Sequence, residues 1–215
     1  QLVLGLSGSV KHLAESCAFE KLDKQLVIVT PTLLQATQTY EELSEWYDDE
    51  VVHLFPVEES LAADFSVVSP DVVSQRIRTL DFLSRGEKGI VIVPLSGIQK
   101  LLVPAAVWKK SSIELAMGSE IESMDAFVEQ LVELGYRREN MVATPGEFAL
   151  RGSIVDIYPL DQEYPLRLDF FDTEVDSIRA FNAETQRSMD VINEVRILPA
   201  TDLPLQKEAV WKAQA

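Results

Sequence analysis

Two short runs, Gln25-Leu26-Val27-Ile28-Val29-Thr30 and Gly89-Ile90-Val91-Ile92-Val93-Pro94, limit most strictly what this chain can fold into. Each is apolar at consecutive positions and rich in β-branched residues, as expected of a strand buried on both faces of a parallel sheet. Parallel neighbours need crossover connections, and the sequence between the two runs supplies helices for them. Thr30 reads as a helix cap with Pro31 in the first turn, opening a helix to about Tyr47. Val51 to Phe55 reads as another strand. Ser69-Pro70 repeats the cap-and-proline signal before a helix through Leu83 that Gly86 stops. A short helix is expected near 96–102. Strand–helix alternation of this kind predicts an α/β domain whose parallel sheet is covered on both faces.

Upstream of the first run, Leu2-Val3-Leu4 reads as a strand and residues 10–19 as a helix. Between them lies Gly5-Leu6-Ser7-Gly8-Ser9-Val10-Lys11-His12. This is the frame of a phosphate-binding loop, G-x-x-x-x-G-K-[ST], with Gly5 and Lys11 in register and Gly8 between them. Val10 stands where the second glycine belongs, and a β-branched residue resists the positive φ that lets amide N–H groups wrap a phosphate. His12 replaces the hydroxyl residue that ligates Mg²⁺ in such loops. The P-loop is therefore degenerate: Gly5, Gly8 and Lys11 keep its frame without the second glycine or the hydroxyl. No carboxylate-rich partner run follows a buried strand, so no catalytic residue and no cofactor are expected.

Nineteen Lys and Arg against 35 Asp and Glu leave a formal charge of −16. Phosphate backbones are bound through Lys/Arg neutralisation, so a chain this acidic is a poor candidate for nucleic-acid binding as a whole. Cys17 is the single cysteine, and His12 and His53 are the only histidines, so neither a disulfide framework nor a cysteine- or histidine-rich metal site is expected. No run reaches the 18 or so apolar residues of a membrane span, and no signal peptide is visible. The expectation is a cytoplasmic globular protein.

After about residue 112 the pattern changes. Ser112 to Met117 reads as a strand, and Ser123 caps a helix of period 3.6 (Met124, Phe127, Val128, Leu131, Val132, Leu134) that Gly135 stops. Strand signals follow at Phe148–Leu150, Ser153–Tyr158, Leu166–Phe171, Val175–Phe181 and Val195–Leu198, separated by turns. This predicts a smaller α+β domain with an antiparallel sheet over 112–185. The first domain would comprise 1–111 and 186–215, the last strand returning to it. The tail from Gln206 to Ala215 reads as helical or linker.

Leu134-Gly135-Tyr136-Arg137-Arg138-Glu139-Asn140, Gly146-Glu147-Phe148-Ala149-Leu150-Arg151-Gly152-Ser153-Ile154-Val155-Asp156-Ile157-Tyr158-Pro159 and Arg167-Leu168-Asp169-Phe170-Phe171-Asp172-Thr173-Glu174-Val175-Asp176 together resemble a signature of bacterial excision-repair proteins. These are UvrB and the amino-terminal, UvrB-like module of the transcription-repair coupling factors (Mfd). The likeness covers essentially the whole chain. UvrB, however, has a working P-loop and an aromatic-rich β-hairpin that clamps DNA. Here Pro56 to Val68 is acidic and too short for such a hairpin, so the resemblance is to the coupling-factor module.

What the resemblance implies is a degenerate, helicase-like (RecA-like) domain plus a UvrA-binding domain that recruits excision repair to stalled RNA polymerase. The module would have no ATPase of its own. ATP, RNA polymerase and double-stranded DNA would be engaged by other domains of the longer protein, with no membrane involved. Alternatives are an autoinhibitory docking module, its surface covered by another part of the full-length protein, and a weak nucleotide- or DNA-binding enzyme fragment. Candidate partner-binding residues are Arg137, Arg138 and Arg151, which cluster if segment 141–151 folds back towards Gly135. Phe148 is an apolar anchor or a core residue, and Asp169 is set on an alternating strand opposite to its apolar neighbours. Of UvrB's F-R-V-R-G pair only the second arginine has a counterpart, Arg151, since Ala149 takes the first place. Arg137 reads equally as an internal ion-pair partner, and Lys11, His12 and His53 as structural or surface residues. Trp46, Trp108 and Trp211 read as helix-packing residues.

Overall fold

The structure, a computed structural model, describes residues 8–22, 24–57, 69–99 and 102–202. The chain divides into two compact units, 1–101 and 102–215.

In the first unit, α1 (Ser9–Lys21), β1 (Leu26–Thr30), α2 (Leu33–Ser44), β2 (Val52–Leu54), α3 (Pro70–Arg85), β3 (Ile90–Pro94) and α4 (Leu95–Ile98) alternate as expected. The three described strands are parallel, in the order β1-β3-β2. Register aligns Leu26, Ile90 and Val52, then Ile28, Ile92 and Leu54. Five of these six residues, with Phe19, Ala36 and Leu43 of α1 and α2, form a buried core against which Leu26 packs. On the opposite face His53 stacks on Phe82 of α3, ring centroids 3.9 Å apart, and Val91 and Val93 are buried. In β1, Val27 and Val29 are about half exposed.

Helix starts differ in detail from the sequence expectation. Thr32, not Thr30, caps α2: its hydroxyl accepts the Gln35 N–H, while Thr30 stays in the strand and donates to the Thr32 carbonyl. The expected α3 signals hold, with Pro70 at the first helical position and Gly86 ending the helix at φ 74°. The helix expected near 96–102 is α4, which starts and ends earlier. Trp108 is a buried packing residue and Trp46 is exposed; Trp211 and the tail lie outside the described residues.

The second unit begins with α5 (Ala105–Lys110). It continues through β4 (Ile113–Ala116), α6 (Met124–Glu133), β5 (Arg137–Arg138), β6 (Glu147–Arg151), β7 (Ile154–Ile157), β8 (Leu166–Phe171), β9 (Glu174–Phe181), β10 (Ser188–Ile192) and β11 (Glu194–Ile197). Six strands form one sheet in the order β10-β9-β8-β7-β6-β5, antiparallel except for the short parallel β5–β6 pair. The last strand does not return to the first unit. β11 pairs antiparallel with β4, Ile197 opposite Ile113, and both isoleucines enter the second unit's core. Burying that apolar pair decides the strand's place, and it moves the boundary expected at 111/112 and 185/186.

Alternation along the strands turns Phe148, Val155, Ile157, Leu166, Leu168 and Phe170 to one face, where Phe127 and Leu131 of α6 pack on them. α6 is capped by the Ser123 hydroxyl and stopped at Gly135, φ 92°. Gly135 N–H bonds the Val132 carbonyl and Tyr136 N–H the Leu131 carbonyl, a Schellman closure. Tyr136 then points inward and donates to the Leu198 carbonyl at 2.7 Å, and burial pushes its phenol well above the usual range.

A Cβ at position 135 would sit 2.8 Å from Thr201 Cγ2 in a conformation that non-glycine residues rarely adopt. Gly135→Ala is expected to cost about 1–2 kcal/mol, the usual penalty of a left-handed residue. It would lower the urea midpoint with an unchanged slope; an unchanged midpoint would contradict the helix-stop assignment.

Candidate partner-binding face

With one face of the six-stranded sheet buried, the alternate residues of β6–β9 must populate the other. Two cross-strand rows result: Ala149–Asp156–Arg167–Arg179 and Arg151–Ile154–Asp169–Ser177. At one end of this outer face Val142, Ala149 and Phe181 form a small buried cluster with Tyr158 against it. The remainder carries the charged residues Arg151, Asp156, Arg167, Asp169 and Arg179 beside Ile154 and Ser177.

Its centre is Asp156, fully buried at 0% exposure. Asp156 Oδ1 accepts from Arg167 Nε at 2.6 Å, and Oδ2 accepts from Arg167 Nη2 at 2.9 Å. The same Oδ2 accepts from Arg151 Nη2. Arg167 is further held by Gln186 Oε1 at 3.4 Å and by the Phe181 ring, whose centroid lies 4.6 Å from its guanidinium carbon. The Asp156 hydrogen bonds push the Arg167 pKa up, with burial opposing. Arg151, tethered through one nitrogen, keeps 48% of its side chain exposed. Asp169 points outward as expected and accepts from the Ser153 hydroxyl at 3.4 Å. Beyond it on the same strand, Phe171 is 79% exposed, the most exposed of the large apolar side chains described.

The expected cluster of Arg137, Arg138 and Arg151 does not form as one group. Arg137 and Arg138 sit on β5 opposite Glu147 and Phe148, at the other end of β6 from Arg151. Four residues of strand separate position 147 from Arg151, about 13 Å. Arg137 makes an ion pair with Glu147 at 3.5 Å, the internal role that its sequence also suggested. Arg138 is exposed but registers with Phe148, on the side of the sheet opposite to Arg151. Phe148 requires correction as a contact residue. It is 0% exposed, because its place on β6 turns it into the core beside Val155 and Leu166.

Sequence reading passed over Asp156, Arg167, Phe171 and Arg179. A signal existed for three of them. Phe170-Phe171 are adjacent on a strand, so one ring has to face away from the core. In addition, every cation between residues 111 and 206 is an arginine. The buried carboxylate beneath them had no local signal, since nothing in Val155-Asp156-Ile157 announces its partners. Gly8 ends at φ 56° before α1, and Lys11 forms an ion pair with Glu15 at 3.7 Å. His12 is buried between Glu15 (2.8 Å) and Glu42 (3.5 Å). Gly5 lies outside the described residues. Among the described residues no group of His, Cys, Asp and Glu could hold a metal, and no helix is long and apolar enough to cross a membrane.

Residues 113–203 match the family model of the UvrB interaction domain. A transcription-repair-coupling factor of Staphylococcus epidermidis is 45% identical over 213 residues, 99% of this chain and 18% of that protein. The Bacillus subtilis factor is 40% identical over 213 residues, 99% and 18% of the respective chains. The Staphylococcus haemolyticus factor is 42% identical over 214 residues, 100% and 18%. The chain belongs to the family of the transcription-repair-coupling factors. It spans 18% of the length of these family members, and its UvrB interaction domain lies within the second unit and contains the six-stranded sheet.

Glu147 fixes one border of the outer face. Its carboxylate accepts the Ala143 and Thr144 N–H groups at 2.9 Å and the Thr144 hydroxyl at 2.8 Å. Burial raises its pKa, but these bonds and Arg137 outweigh burial and hold it below the ordinary glutamate value. A lowered folded pKa gives stability that is complete above the unfolded value, about 4.3, and is lost as pH falls through the folded one. Glu147→Gln is therefore expected to flatten the stability–pH curve below about pH 4.3, followed by urea unfolding; a curve as steep as wild type would contradict the assignment.

Proposed function

We propose that the chain is a non-catalytic, UvrB-like recruitment module that binds UvrA through the outer face of its six-stranded sheet. In the longer protein it brings excision repair to stalled RNA polymerase, while other regions use ATP and engage polymerase and double-stranded DNA. The observation that carries the reading is an exposed aromatic, Phe171, on the same face as Arg151, Arg167 and Arg179, within a UvrB interaction domain. Arginine forks bind carboxylates in bidentate fashion, and an aromatic beside them supplies the apolar anchor typical of interface hot spots. The partner patch that fits is acidic with an apolar pocket.

In the first unit, a degenerate RecA-like fold is supported by the parallel order β1-β3-β2 and its crossover helices. Absence of ATPase activity in this region is supported by Lys11 and His12, both engaged by α-helical glutamates. A second reading, in which another part of the full-length protein covers the arginine face until polymerase is engaged, draws on the same exposed Phe171.

Calorimetric titration of UvrA tests the proposal. Arg151→Ala and Phe171→Ala are each expected to weaken binding by about 1–3 kcal/mol, the range of interface anchors. Arg138→Ala, on the other side of the sheet, is expected to leave affinity unchanged. Loss with Arg138→Ala but not with the other two would move the site, and no binding by the wild-type chain would remove the reading.

A further inference from the structure

We infer that Asp156 is a positioning residue for this face: its buried carboxylate presets Arg151 and Arg167 so that Arg151 offers its remaining donors to carboxylates of the partner. The inference rests on the outer face being the UvrA-docking surface.

A fully buried carboxylate is costly unless paired, and a well-packed apolar residue in its place is often no less stable. Asp156 nonetheless stands in the middle of a cross-strand row, with Ala149 on one side and Arg167 on the other. Arg167 lies directly opposite Arg179, an unfavourable like-charge neighbour in a sheet. Asp156 accepts from Arg151 and Arg167 and so offsets part of that repulsion. Division of labour between the two arginines follows from their bonds. Arg167 is clamped by both Asp156 oxygens, by Gln186 and by the Phe181 ring. Arg151 donates through Nη2 alone, stays half exposed, and makes no described bond through Nε or Nη1. An arginine already held at one corner loses less rotamer freedom when a partner carboxylate arrives. Asp156 touches no partner itself and acts through the two side chains it holds.

Asp156→Asn keeps the shape and removes the charge. The variant is expected to unfold cooperatively and to bind UvrA about tenfold more weakly, a coupling usual for groups in direct contact. In an Arg151→Ala background the same substitution should add little. Side-chain ¹⁵N spectra of the chain without partner provide the readout that a merely structural role would not move. Arg151 Nη signals should be resolved by hindered rotation in the wild type and averaged in Asp156→Asn. A folded variant with wild-type affinity overturns the positioning role while leaving the docking reading intact. Freely rotating Arg151 signals in the wild type overturn it as well, and need no variant to fold. Failure of the wild-type chain to bind UvrA overturns the docking reading and the inference with it.

Discussion

Alternation along the antiparallel strands β6 to β9 is the constraint on which the rest of the second unit depends. Because Phe148, Val155, Leu168 and Ile178 must all reach one core, register is fixed strand by strand. A slip of one residue would bury Arg167 and expose Leu168. The same register that builds the core therefore aligns Asp156, Arg167 and Arg179 in one row on the other side. The core and the proposed docking face are two sides of one pairing pattern, and neither can be altered without the other.

Electrostatics on this face run against the whole. The chain carries −16, yet the outer surface of the sheet gathers Arg151, Arg167 and Arg179 around the buried Asp156, with Asp169 in the adjoining row. Net charge governs solubility and long-range steering, whereas recognition is set by the local arrangement of forks and carboxylates. An acidic chain can thus present a cationic docking face, provided that the cations are held by hydrogen bonds rather than left on flexible stems.

Much of the fold was legible in the residues. Runs such as Ile90 to Pro94 announced the buried parallel strands, and Gly86 and Gly135 marked their helix ends because only glycine accepts those backbone angles cheaply. The partner of the last strand was not legible. Val195 to Leu198 reads as a strand wherever it pairs, and only the fit of Ile197 beside Ile113 chooses β4. On the outer face, the outward direction of Asp169 was legible from strand alternation. Phe148 read equally as a contact or a core residue, because its burial depends on which face α6 covers. Asp156 was missed because a buried carboxylate is recognisable only through partners on neighbouring strands, Arg151 and Arg167.

Photo-crosslinking from single positions tests the central claim, that the outer sheet face meets UvrA, more directly than affinity alone. A photoreactive phenylalanine analogue at position 171 or 179 should capture UvrA, and the same analogue at position 138 or at exposed Glu129 of α6 should not. Capture from 138 or 129 with none from 171 or 179 would place the partner on the opposite side and contradict the account.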